Sequence, residues 1–254
     1  MRARNHAYKP LCELKFESII PSFSPDRQRA LRRSLNGKTS TWLNVLPLQN
    51  YHFDLSPLQF RDGLAIRYLR DPPCLPPKFD GYGTALTLQH ALDCKKGEPV
   101  VREADVKTAD GGLRLDLGIR GVWQPQVEAL FDVKVVDTDA PSHRTRSPEA
   151  ILESGAKEKK RVYEQAVVER RGNFTPIVLS VDGLLHREAE HFLKRMAANL
   201  ARKWEKPYSQ TCGYVRARLA LAIIRATSLC LRGSRVKWRS GLGMDDGAPL
   251  YSIL

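Results

Sequence analysis

Charged and apolar positions alternate most regularly between Leu113 and Asp137, LRLDLGIRGVWQPQVEALFDVKVVD. Arg114 to Arg120 has the two-residue period of a strand with one buried face. Ala129 to Val136 is β-branched and aromatic, and predicts a second, more central strand. A polar, proline-containing turn between them makes the two a hairpin-like pair. Downstream, Ser147-Pro148-Glu149 opens a long helix that reaches about Arg170. Ser147 caps it, Pro148 takes its first position, and Glu149 meets the positive end of the helix dipole. Ile151, Val162 and Tyr163 are expected to face inward, and Gly172-Asn173 to end the helix. Phe174 to Gly183 predicts a strand and turn, followed by helices over Glu188 to Lys203 and Tyr208 to Arg232.

Upstream, Pro25 to Arg33 predicts a short helix with Ser24 as its cap. Its arginines suit either phosphate contact or a solvated helix face. Thr41 to Leu48 is an apolar segment stopped by Pro47. Leu55 to Tyr68 predicts a helix capped by Ser56 with Pro57 first, and Leu58, Leu64, Ala65 and Tyr68 near one face. Asp71 to Pro77 holds four prolines and reads as a linker. Pro99 to Glu103 adds an earlier strand. The order of elements predicts an α/β fold, a small central mixed sheet flanked by helices, with an α-helical N-terminal segment.

The chain has 254 residues, enough for one large or two small domains with a core. Its net charge of +13 points to a polyanionic partner, nucleic acid before a membrane surface, with DNA and RNA both open. Candidate phosphate contacts are Arg120, Lys157, Lys160, Arg161, Arg216, Arg218, Arg225 and Arg235. The longest apolar run, Leu219 to Ile224, is too short to span a bilayer, so no membrane partner is expected. The basic N-terminus lacks the apolar core of a signal peptide. Five scattered cysteines argue against a disulfide framework. A reduced protein of nucleus or cytoplasm, not secreted, is the expectation.

Asp116 on the first central strand and Asp132-x-Lys134 on the second form a pattern that metal-dependent phosphodiesterases use. There carboxylates hold Mg²⁺, and the lysine orients or activates water and steadies phosphate charge. The same residues serve as solvent-facing or strand-end residues in many sheets, so spacing alone leaves both readings open. His90 and Cys94 lie four apart, but two ligands do not make a structural zinc site, which needs four.

The blocks TWLNVLPLQNYHFDLSPLQFRDGLAIRY, HALDCKKG, DLGIRGVWQPQVEALFDVKVVDTDA, FTPIVLSVDG and CLRGSR give the chain a wider likeness. From about Thr41 to Gly247 it resembles the C-terminal region of reverse-transcriptase polyproteins of non-LTR retrotransposons that carry a restriction-endonuclease-like domain. The resemblance implies a PD-(D/E)xK nuclease fold downstream of a zinc knuckle, and Mg²⁺- or Mn²⁺-dependent nicking of target DNA to prime reverse transcription. By position, Asp116 and Asp132 match the metal-binding acids and Lys134 the catalytic lysine. Lys159 and Tyr163 match a basic-plus-tyrosine pair on the following helix. His90 and Cys94 match the last two knuckle ligands.

The chain also departs from that family. Phe79 and Tyr82 stand where the knuckle's first two cysteines belong, which makes tight zinc binding improbable. Lys96-Gly97-Glu98-Pro99 runs straight into Val100 to Glu103, where relatives have a further helix. No polymerase domain precedes Thr41. The resemblance therefore implies a decayed or truncated copy. Its implied parts are a helical connector (1–71), a degenerate knuckle (72–97), a restriction-endonuclease-like domain (98–240) and a flexible tail (241–254).

Overall fold

The computed structural model describes residues 12–36, 40–75, 88, 104–106, 113–169 and 172–232. Among them are six α-helices and five strands. The helices are α1 (12–19), α2 (Pro25–Asn36), α3 (Pro57–Arg67), α4 (Pro148–Glu169), α5 (Arg187–Lys203) and α6 (Tyr208–Arg232). The strands are β1 (Ala104–Val106), β2 (Leu113–Leu115), β3 (Leu117–Arg120), β4 (Glu128–Val136) and β5 (Asn173–Ser180). The chain is thus mixed α/β with a small mixed sheet, as its pattern predicts. His90, Cys94, Glu98, Glu103, Arg235, the knuckle positions Phe79 and Tyr82 and the C-terminal tail lie outside the described residues, as does the strand expected over 99–103.

β4 is the centre of a three-stranded sheet. β3 runs antiparallel to it in the register Leu117↔Phe131, and β5 runs parallel in the register Asp132↔Pro176. The β4–α4–β5 unit is the crossover that a parallel pair requires. A separate antiparallel ribbon joins β1 and β2. The single strand expected from Arg114 to Arg120 is therefore broken in two by a bend at Asp116.

Alternation along β4 assigns its side chains to two layers. Ala129 and Phe131 pack with Phe192 and Met196 of α5. Leu130 packs with Tyr163 and Val167, and Val136 with Ile151, Leu152 and Ala156, all on α4. Each large buried apolar side chain contributes about 1.5–3 kcal/mol. Ser147 Oγ accepts the Ala150 amide at 3.2 Å, the cap expected for α4. Val162, expected inward, is exposed. The buried stripe of α4 steps in fours through 155, 159 and 163, and Val162 lies off it.

The N-terminal segments hold to this body through arginines. α3 begins with the expected cap, a full capping box in which Ser56 and Gln59 exchange hydrogen bonds. Its buried face differs from the expected one, because Asp62 is fully buried and Tyr68, just past the helix end, is exposed. Arg232 donates to both Asp62 oxygens, at 2.6 and 2.5 Å, and Ser228 Oγ donates at 2.8 Å. Gly63 keeps the α3–α6 approach close. A Cβ there would stand 3.1 Å from Ile224 Cγ2 and 3.3 Å from Trp42 Cζ2. The α2 arginines divide: Arg27 and Arg32 are exposed, and Arg29 and Arg33 turn inward. Arg33 is buried, forks onto Asp139 just after β4, and donates Nε to Asp182 just after β5 at 2.5 Å. Arg29 donates to the carbonyls of Thr138 and Arg144.

Candidate active site

Continuing the β3–β4 register by one residue beyond Leu117↔Phe131 sets Asp116 opposite Asp132. The bend at Asp116 ends β3 there and leaves the adjoining edge of β4 without a backbone partner. Asp116 Oδ2 fills that place by accepting the Val133 amide at 2.6 Å. One carboxylate is thereby fixed by the main chain of the strand that carries the other.

Asp132 and Lys134 are two residues apart on β4 and share the face covered by α4. Four helical residues rise about 6 Å and two strand residues about 6.7 Å, so one helix step keeps pace with one strand step. Ile151 and Leu152 lie at Val136, Gly155 at Lys134, Lys159 at Asp132, and Tyr163 at Leu130. Gly155 is what admits the lysine. A Cβ there would meet Val178 Cγ1 at 3.3 Å and Lys134 Cδ at 3.6 Å.

Asp132 is 5% exposed, and Lys159 Nζ lies 2.5 Å from its Oδ2. The Tyr163 hydroxyl hydrogen-bonds the same carboxylate, and Lys159 Nζ sits 5.6 Å from the centre of the Tyr163 ring. Burial raises the Asp132 pKa above the ordinary carboxylate value. Lys159 and Tyr163 oppose that rise, and the charge of Asp116 adds to it. Lys134 Nζ does not reach back to Asp132 but donates to Glu158 Oε2 at 2.7 Å, which holds the exposed Glu158 carboxyl below its ordinary value. Lys159 and Tyr163 therefore gather on Asp132, with Asp116 opposite it in the extended register and Lys134 beside it on the same face. Glu158 was not expected. It neighbours Lys159 on a charged helix, and only the placement of Lys134 singles it out.

The described residues contain no group of three or more His, Cys, Asp or Glu positioned for a metal ion. Mg²⁺ does not require one, since it binds through one or two carboxylates and completes its shell with waters and substrate phosphates. Asp116 and Asp132 offer two carboxylates at opposed positions, one oxygen of Asp116 taken by the Val133 amide and one of Asp132 by the ammonium of Lys159.

The expected phosphate contacts divide. Arg120 and Arg161 are exposed. Lys157 and Lys160 meet Glu153 and Glu188 at 3.7 and 2.9 Å, so the basic stripe of α4 is partly neutralised. Arg218 and Arg225 turn to the main chain. Arg218 donates to the Tyr51 carbonyl at 2.9 Å, and Arg225 to the carbonyls of His52 and Asp54. No helix among the described residues is long and apolar enough to cross a membrane. No protein-family profile matches the chain, and no curated protein matches it.

Proposed function

We propose that the chain is the endonuclease portion of a non-LTR retrotransposon polyprotein, with a restriction-endonuclease-like site that nicks DNA. The observation that carries this reading is the register that opposes Asp116 and Asp132 on the face bearing Lys134. A bound Mg²⁺ would supply a Lewis acid for the phosphoryl oxygen and lower the pKa of its water. Asp116 and Asp132 would hold it. Lys134, released from Glu158, would orient the attacking water or steady charge on the phosphate. Tyr163 and Lys159 would position the scissile strand.

A second reading is a nucleic-acid-binding remnant that no longer cuts. The Lys159–Asp132 contact favours it, because a cation must displace that ammonium before the carboxylate is free. Nicking of supercoiled plasmid with Mg²⁺ or Mn²⁺, beside Asp132→Ala, separates the two. Metal-dependent nicking lost in the variant supports the nuclease. Salt-sensitive DNA binding without nicking supports the remnant.

A further inference from the structure

Away from the carboxylates, residues 49–54 and the start of α6 build an aromatic cluster around Tyr214. Tyr51 lies 6.5 Å from the Tyr214 ring, Phe53 5.6 Å and Trp204 5.6 Å. These rings are not hidden. Tyr51 is 54% exposed and Trp204 40%. The loop that carries Tyr51 is held from beneath. Arg218 takes its carbonyl, and Arg225 those of His52 and Asp54. His52 sits at φ 53, a left-handed conformation that a non-glycine residue keeps only when its surroundings impose it. Tyr214, Arg218 and Arg225 lie on one face of α6, at spacings of four and seven. The two arginines thus point the main chain inward and present the rings outward. Exposed Arg202, Lys203 and Lys206 flank Trp204 along the chain, with Glu205 between them, and on the facing loop the Asp54 carboxylate lies 3.8 Å from Arg225.

We propose that Tyr51 and Trp204, braced by Tyr214, form a stacking platform for unpaired nucleotides. Paired bases bury their faces in the duplex, so exposed rings beside cations select single strands, where stacking is indifferent to sequence. The proposal rests on nucleic acid as the partner of this basic chain, and not on the carboxylate site. Nothing in the platform distinguishes deoxyribose from ribose.

Fluorescence anisotropy of the full chain tests it, with an oligothymidylate of about 15 nucleotides, an abasic strand of that length and a duplex as probes. Wild-type protein should bind the oligothymidylate more tightly than the abasic strand. Tyr51→Ala with Trp204→Ala should weaken oligothymidylate binding by about ten-fold or more. Abasic-strand and duplex binding should stay unchanged. Tyr51→Phe and Trp204→Phe keep a ring and should retain affinity. Equal losses on all three probes, or none on the oligothymidylate, overturn the platform while leaving the nucleic-acid reading intact. Failure of the wild-type chain to bind any probe overturns both.

Discussion

Lys159 and Asp132 face each other across the α4–β4 interface, ammonium on carboxylate at 2.5 Å, with the carboxylate buried. Removing charges from water is costly even when they are paired, and such pairs add little net stability over an apolar core. The contact is better understood as a charge held ready than as a structural clasp.

Asp132→Asn should therefore stabilise the fold and, on the proposed nuclease reading, abolish nicking. The carboxyl of folded Asp132 stands above its ordinary value, chiefly through burial. Its contribution to stability is full below about pH 4, the value in an unfolded chain, and is lost as pH rises through the raised folded value. At neutral pH the ionised group thus costs stability. A higher Tm is expected from thermal unfolding at pH 7, and a smaller rise at pH 4. A fall in Tm at pH 7 would contradict the electrostatic account.

Lys159→Met leaves the buried carboxylate without its ammonium, at a cost of about 1–3 kcal/mol. A divalent cation should restore what the ammonium supplied. Added Mg²⁺ should raise the Tm of Lys159→Met more than that of the wild-type chain. An equal or smaller shift would mean that the ammonium and the cation do not compete for one place.

Arg33→Ala should cost about 3–5 kcal/mol, because it removes the buried guanidinium that two carboxylates share at the C-terminal ends of β4 and β5. Burial works against the Arg33 charge, but Asp139 and Asp182 outweigh it and hold the guanidinium pKa above its ordinary value. Urea unfolding should show a lower midpoint with an unchanged slope. A loss below about 1 kcal/mol would place α2 outside the folding unit.

Arg161 and Arg225 should behave oppositely. Arg161→Ala should reduce the salt slope of duplex binding by about one and leave Tm unchanged. Arg225→Ala removes donors from two loop carbonyls and should lower Tm by several degrees, with the slope unaltered. The reverse pattern would make Arg225 the phosphate contact.

What the sequence made legible was local. Alternation through Ala129–Val136 located the central strand β4, that through Arg114–Arg120 an extended segment which the structure divides between β2 and β3, and Ser147-Pro148 and Ser56-Pro57 located two helix starts. The aspartate pair followed from two-residue periodicity, since a hairpin register brings such positions opposite each other. What escaped was the matching of long-separated charges. Arg33 with Asp139 and Asp182, Asp62 with Arg232, and Arg225 with the 52–54 carbonyls span over a hundred residues each, and no local period encodes them. The break at Asp116 escaped for a related reason. Its side chain replaces a main-chain partner, which alternating polarity does not signal. Gly155, Lys159 and Tyr163, spaced in fours, did carry a signal, legible only once their opposite strand is known.

The central claim is that Asp116 and Asp132 share one cation. Mn²⁺ binding followed by electron paramagnetic resonance, on the wild-type chain and on Asp116→Asn and Asp132→Asn separately, tests it without any substrate. One bound Mn²⁺ in the wild type, lost in each variant, is the predicted result. Binding that survives either substitution, or no bound Mn²⁺ in the wild type, would contradict the shared site.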